Sequence, residues 1–194
     1  MTASARERPL RVGISTCLLG QKVRFDGGHK HDRYLTDILG AYFEFVPVCP
    51  ELEVGMGVPR ESVRLVGTVD APRMIGHRSG EDWTERMARY SAKRLAQLGK
   101  MGLSGYILKK DSPSCGMERV KVYPSEEGGL PDKHGVGLFA RPLLEGLPLL
   151  PVEEEGRLHD AHLRDNFIVR VFAFHRLQGL FAGRWTRGQV VAFH

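Results

Sequence analysis

The sequence is poor in cysteine and has no long apolar run, and these scarcities exclude several classes of protein. No apolar stretch approaches the ~20 residues that a membrane span requires, and the N-terminal MTASARERPL lacks the apolar core of a secretory signal. Three cysteines among 194 residues is an odd number, which argues against a secreted disulfide framework. We therefore expect a cytoplasmic protein with no membrane span, whose thiols are free, bind metal or act in catalysis.

The overall composition is that of an ordinary soluble domain. Hydrophobic residues make up 42% of the chain and charged residues 26%. The length fits one substantial domain with an appended segment. The net charge of +5 permits a nucleic-acid partner but does not require one.

Short apolar segments alternate with stretches of helical periodicity along the first three quarters of the chain. RVGISTC, FEFVPVC and SGYILKK read as strands, although Pro47 is awkward inside a central strand. HDRYLTDILGAY, residues 82–101 and GVGLFARPLLEGL read as helices, SVRLVG as a short strand or hairpin arm, and PLLPVE as a fourth strand. The pattern predicts an α/β fold with an open, mostly parallel, Rossmann-like sheet flanked by helices.

The same patterns suggest three parts of the chain. Residues 1–9 read as a disordered leader and residues 10–152 as the α/β domain. Residues 153–194 are rich in Arg and His with a broad apolar stripe, and they read as the start of a helical accessory domain that is apparently truncated.

Each of the three cysteines lies at, or just after, the predicted C-terminal end of a strand. In open parallel sheets, ligands bind beyond these strand ends, so Cys17, Cys49 and Cys115 are expected to gather at one edge. Three thiolates could bind zinc with a histidine or water, or an iron–sulfur cluster with one iron left open. One catalytic cysteine with two bystanders is also compatible, because the sequence contains no C-x-x-C to decide the question.

Polar groups beside these cysteines are candidates for proton transfer. Glu51 lies two residues after Cys49, and Ser112 lies three residues before Cys115, with Ser114 as a substitute for Ser112. The alternative is structural: a carboxylate at a helix start for Glu51 and a turn cap for the serines.

Three segments resemble the signature blocks of the thiouracil desulfidase (TudS-type) family: STCLLGQKVRFDGG, CPELEVGMGVPRE and KKDSPSCG. They occur in order, and the resemblance extends over residues 10–152. The segment from about Arg157 resembles the start of a helical domain fused to some members, including a desulfidase of 4-thiouridine in tRNA. The resemblance implies non-redox removal of sulfur, as hydrosulfide, from a thionated pyrimidine: thiouracil or 4-thiouridine, free or in tRNA.

The resemblance also implies a cofactor and a set of site residues. A [4Fe-4S] cluster would be held by Cys17, Cys49 and Cys115, leaving one iron open to take the sulfur of the substrate. The alternatives are a zinc-stabilised binding module and a hydrolase with a cysteine nucleophile. Catalysis is assigned to Glu51, Ser112 and Ser114, and substrate binding to Arg24, Asp26, Gly27, Arg60 and Lys110.

Three of the residues assigned to substrate binding also have plain structural alternatives. Asp26 and Gly27 could simply close a turn, and Arg60 could form a structural ion pair. A tRNA substrate would need a basic rim for its phosphates. The residues available for such a rim, which could equally be the solvated face of a helix, are Arg86, Arg89, Lys93, Arg94, Lys100, Lys109 and Lys110.

Overall fold

The computed structural model describes residues 10–193, and the predicted leader lies outside them. Two four-stranded sheets and five helices form this part of the chain. The strands are β1 (Arg11–Ser15), β2 (Glu44–Val48), β3 (Val63–Gly67), β4 (Pro72–Gly76), β5 (Leu103–Leu108), β6 (Val120–Tyr123), β7 (Asp132–Gly135) and β8 (Val152–Glu154). The helices are α1 (Pro50–Glu53), α2 (Thr84–Leu98), α3 (Ala140–Gly146), α4 (Ala161–Phe181) and α5 (Arg187–Phe193).

The first sheet is fully parallel, in the order β2-β1-β5-β8. Its central strands β1 and β5 are almost continuously buried, as expected for a sheet covered on both faces. Gly13 in β1 lies opposite Tyr106 of β5, and a Cβ atom at Gly13 would come within 2.3 Å of the Tyr106 ring. The predicted open parallel sheet is confirmed.

Strand β2 contains Pro47 and lies at the edge of this sheet. An edge strand needs no ladder donor on its outer side, so a proline there costs little. The strand therefore pairs regularly with β1 from Glu44 to Val48 despite the proline.

The second sheet is mixed, in the order β4-β3-β6-β7, and the sequence did not predict it as a sheet. The expected hairpin arm SVRLVG is β3, which pairs antiparallel with β4 and parallel with β6. Strands β6 and β7 have four residues each, and β7 reads Asp-Lys-His-Gly. So short a polar segment carries no period-2 apolar signal.

Two predicted helices differ from the observed elements. HDRYLTDILGAY forms a wide π-type turn at Tyr34–Ile38 and a tighter 3-10 turn at Leu39–Ala41 rather than a regular α-helix. Its apolar spacing still buries Leu35 and Leu39 in the core. The helix expected over GVGLFARPLLEGL is confined to α3, because the Gly135 end of that segment belongs to β7. Helix α2 lies within the predicted residues 82–101.

Helix α4 begins at an N-cap, Asp160, whose carboxylate accepts a hydrogen bond from the Leu163 N–H at 3.0 Å. Residues 153–160 comprise the end of β8, a turn and a short 3-10 turn at Arg157–His159, so the regular α-helix of the expected helical segment begins only at Ala161. Phe167 and Val171 of α4 are buried in the same cluster as Val12 and Ile14 of the first sheet. The division of the chain at residue 152 stays a prediction. Within residues 10–193, no helix has the length and hydropathy needed to cross a bilayer.

Candidate active site

All three cysteines line one cavity of about 400 Å³ at the carboxyl edge of the first sheet. Cys17 follows β1, Cys49 follows β2, and Cys115 lies in the loop after β5. These three strands are neighbours in the sheet, so their ends meet although the cysteines are far apart in the sequence. The expected gathering of the thiols at one edge is observed.

The loop that carries Cys115 is fixed by its own serine and by the chain before α3. The Ser112 hydroxyl oxygen accepts hydrogen bonds from the backbone N–H groups of Ser114 (3.3 Å) and Cys115 (3.1 Å). The Ser114 carbonyl accepts from the Phe139 N–H at 3.0 Å and the Ala140 N–H at 3.1 Å. The thiol of Cys115 is therefore held on a rigid turn, with only 6% of the residue exposed.

Glu51 projects into the same cavity from the first turn of α1. Pro50 takes the first helical position, where its missing N–H is not needed, and the Cys49 N–H donates to the Glu53 carboxylate at 3.0 Å. This short capped helix fixes Glu51 directly after Cys49. The structural alternative for Glu51, a carboxylate at a helix start, is thus compatible with a place in the cavity wall.

A chain of hydrogen bonds joins Glu51 to the serine loop and to a buried arginine. The Ser114 hydroxyl donates to Glu51 Oε1 at 2.6 Å, and Ser114 and Ser112 hydroxyls are 3.0 Å apart. On the other side, Arg60 donates to Glu51 Oε2 through Nε at 3.2 Å and Nη2 at 2.5 Å. The carboxylate is therefore held from both sides, with one oxygen facing a hydroxyl and the other a guanidinium.

A model of the 2-thiouracil desulfurase family matches residues 12–155, which include every residue of the cavity wall. The chain belongs to this family.

Two relatives show how far the likeness extends. This desulfurase is 34% identical over 108 residues to the uncharacterized protein YbbK of Bacillus subtilis (strain 168), covering 53% of this chain and 71% of YbbK. It is also similar to a solved structure described as the [4Fe-4S]-dependent thiouracil desulfidase TudS, with 28% identity and a TM-score of 0.62. That match covers 81% of this chain and 98% of TudS, so the α/β fold is shared.

Other predicted residues of the desulfurase fall into two groups. Arg24, Arg60 and Lys110 line the cavity. Asp26 and Gly27 do not line it, and they form the turn that the structural alternative described: Asp26 Oδ1 accepts from the Gly28 N–H at 2.9 Å, and Gly27 has a φ of 73°. A substrate contact by Asp26 or Gly27 stays a prediction.

Arg60 contacts much more protein than a surface arginine does. Besides its two bonds to Glu51, its Nη1 donates to the carbonyls of Val23 at 3.0 Å and Gly57 at 2.8 Å. Its side chain is 6% exposed. These partners support the structural ion pair as one role of Arg60, and they also tie the loop after Cys17 to α1.

Only some of the basic residues predicted to form a rim lie at the cavity. Lys109 and Lys110 line the cavity, whereas the basic residues of α2 do not. Arg94 pairs with Glu53 at 3.2 Å, and Arg86 pairs with Glu81 and lies over the Trp83 ring. The basic residues of α2 are therefore not part of the cavity wall, and Arg86 and Arg94 are engaged in local contacts.

Several residues of the cavity wall were not predicted from the sequence. Phe25 is 38% exposed beside Arg24 and offers an aromatic ring at the cavity wall. Ser15, 2% exposed at the end of β1, accepts from the Lys109 N–H at 3.0 Å and is hydrogen-bonded to the Cys115 thiol. Lys109 Nζ in turn lies 2.5 Å from Glu155 Oε1. The position of Ser15, two residues before Cys17, was the one available signal.

Burial sets the acidity of the three thiols in the metal-free protein. Loss of solvent, with a smaller contribution from Cys49, raises the pKa of Cys17 from 9.0 to about 11. Burial likewise raises the pKa of Cys49 and of Cys115, the latter strongly. The thiols are therefore protonated at neutral pH when no cation is present, and a bound cation must displace their protons.

Proposed function

We propose that this chain removes sulfur from a thionated pyrimidine with a [4Fe-4S] cluster held by Cys17, Cys49 and Cys115. The observation that carries the proposal is one cavity lined by all three thiols together with Glu51, Ser112 and Ser114. Family membership over residues 12–155 supports the reaction, and the likeness to TudS supports the cofactor.

The residues present fit an iron–sulfur cluster by the chemistry of their donors. Thiolates are the usual protein ligands of such clusters, and these three come from separate loops facing a common space. Among residues 10–193, no three His, Cys, Asp or Glu side chains converge closely enough to hold one metal ion. A cluster does not require such convergence, because its ligands bind different corners. When bound, a cluster with three protein ligands supplies one open iron that attracts sulfur as a Lewis acid.

The chain's own residues supply the proton transfers. Hydrolysis of a C=S group forms a C–O bond from water, breaks the C–S bond and releases hydrosulfide, with no net transfer of electrons. The attacking water must lose a proton, and Glu51 is a carboxylate in the cavity wall that can accept it. The Ser114 hydroxyl, 2.6 Å from Glu51 Oε1, can pass that proton onward, and Ser112 continues the path.

Substrate recognition falls to residues around the cavity mouth. The Phe25 ring can stack on a planar pyrimidine, and the Arg24 guanidinium lies 5.3 Å from the centre of that ring. Lys110 and Arg24 provide donors for base carbonyl groups. Arg60 orients Glu51 and is a positioning residue. These contacts suit thiouracil and 4-thiouridine equally, so a 4-thiouridine substrate, free or in tRNA, is part of the proposal.

The test is anaerobic purification followed by assay of hydrosulfide release from 2-thiouracil, 4-thiouridine and thiolated tRNA. Release from at least one of them, lost in Cys→Ser variants at each of the three positions, supports the proposal. Loss in a single cysteine variant alone would favour a cysteine nucleophile. Colourless protein with stoichiometric zinc would favour the zinc-stabilised module.

A further inference from the structure

Ser15 is a buried polar residue at the cavity of the three thiols, and the proton path from Glu51 through the loop serines gives it no role. It is the last residue of β1, it is only 2% exposed, and it lines the cavity together with Cys17 and Cys115. Buried hydroxyl groups in proteins are hydrogen-bonded, because an unpaired one loses the hydrogen bonds that water provides. The partners of Ser15 therefore indicate what its hydroxyl does.

The hydrogen bonds of Ser15 determine where its proton lies. The hydroxyl oxygen accepts a hydrogen bond from the Lys109 N–H at 3.0 Å, which ties the end of β1 to the end of β5. The hydroxyl proton remains for a second partner, and Ser15 is hydrogen-bonded to the Cys115 sulfur. A cysteine that binds metal is a thiolate, and a thiolate can only accept hydrogen bonds. Ser15 is therefore the donor in this contact whenever Cys115 is a ligand.

A second hydroxyl near Cys115 is already engaged with another acceptor. The Ser114 oxygen lies 3.8 Å from the Cys115 sulfur and 2.6 Å from Glu51 Oε1. A hydroxyl has one proton, and the shorter contact to a carboxylate oxygen takes it. Ser15, rather than Ser114, is thus the hydroxyl that donates to the Cys115 sulfur. Both Ser15 and Cys115 are buried, and a low local dielectric strengthens a hydrogen bond to a charged acceptor.

We propose that Ser15 is a positioning residue that donates a hydrogen bond to the Cys115 thiolate and thereby tunes the bound cluster. The inference rests on the proposed function, because it requires Cys115 to be a cluster ligand. A donated hydrogen bond draws electron density from the ligand sulfur, and such bonds help to set the reduction potential of iron–sulfur clusters. Ser15 therefore raises the reduction potential of the cluster and makes its open iron a stronger acceptor for the sulfur of the substrate.

The experiment measures the midpoint reduction potential of the cluster in the anaerobically reconstituted full chain. The titrant is dithionite, the reduced cluster is followed by electron paramagnetic resonance, and the variants are S15A, S15V and S15T. Valine and threonine have similar shapes and only threonine keeps a hydroxyl, so this pair separates the hydrogen bond from packing. We expect S15A and S15V to lower the one-electron reduction equilibrium constant about tenfold, which is about 59 mV. The potential of S15T should return toward that of the wild type.

Ser91 of α2 provides a matched control. It is 1% exposed, its hydroxyl has no hydrogen-bond partner within residues 10–193, and it does not line the cavity. Ser91→Ala should therefore leave the reduction potential at the wild-type value. A shift in this control as large as that in S15A would overturn the assignment, since the loss of any buried hydroxyl would then explain the effect.

A second measurement detects the same hydrogen bond without reducing the cluster. Resonance Raman spectra in H2O and in D2O report the iron–sulfur stretching frequencies, and deuteration of a hydroxyl that donates to a ligand sulfur shifts them. We expect this isotope shift to be present in the wild type and S15T and to be smaller in S15A and S15V. A wild-type potential or a wild-type isotope shift in both S15A and S15V would overturn the role of Ser15 and leave the proposed function standing. A wild-type chain that assembles no cluster would overturn both.

Discussion

Replacing Arg60 by methionine removes the cation that faces Glu51 and leaves a carboxylate in a protein-lined site. The side chains of Arg60 and Glu51 are 6% and 14% exposed. Removing one partner of a buried ion pair typically destabilises a protein by about 3–5 kcal/mol, because the remaining charge stays desolvated. The carbonyls of Val23 and Gly57 also lose a donor, so we expect R60M to cost about 3–5 kcal/mol in the free energy of unfolding.

Urea unfolding of the cluster-free protein measures this cost without a contribution from cofactor loss. Arg11→Met is the matched control, because Arg11 pairs with Glu44 at 3.1 Å with both side chains more than 40% exposed. The control should cost less than about 1 kcal/mol. If R60M costs no more than R11M, Glu51 does not depend on Arg60, and the positioning role assigned to this arginine is wrong.

Three further predictions address the proton path, the thiols and the C-terminal helix. Glu51→Gln and Ser114→Ala should each lower kcat for hydrosulfide release by about 10²–10⁴-fold with iron content unchanged. Wild-type kcat in both variants would refute the proton path. Since burial, followed by Cys49, raises the pKa of Cys17 from 9.0 to about 11, the neutral thiol is favoured in the folded state. The contribution of Cys17 to the stability of the cluster-free protein should thus be fully present below pH 9 and be lost as the pH rises toward 11. Measured as a melting temperature, this loss should be larger in the wild type than in Cys17→Ser. Phe167→Ala should cost about 3–5 kcal/mol in urea unfolding, whereas Phe181→Ala, at a position 51% exposed, should cost less than about 0.5 kcal/mol.

Elements with a strong local pattern were predictable from the sequence. β1 and β5 are short segments of five and six residues that are rich in apolar side chains, and α2 presents an apolar stripe over fifteen residues. Once these elements are assigned to a parallel sheet, topology alone brings Cys17, Cys49 and Cys115 to one edge. The meeting of the thiols therefore follows from strand order and does not depend on side-chain detail.

The rest of the site depends on contacts that leave no local trace. The hydrogen bond from Ser114 to Glu51 joins residues 63 positions apart. Arg60 and Lys109 are ordinary basic residues until the fold supplies Glu51 and Glu155 as partners. The second sheet was missed because its strands are short and because the pairing of β3 with β6 joins residues 57 positions apart, Leu65 and Val122.

The most direct test of the account is to count iron and sulfide in the anaerobically reconstituted chain and in its three Cys→Ser variants. We expect about four irons and four sulfides per wild-type chain, broad absorption near ~400 nm, and loss of the intact cluster in C17S, C49S and C115S alike. A wild-type cluster that survives substitution of any one of these cysteines would contradict the claim that all three are its ligands.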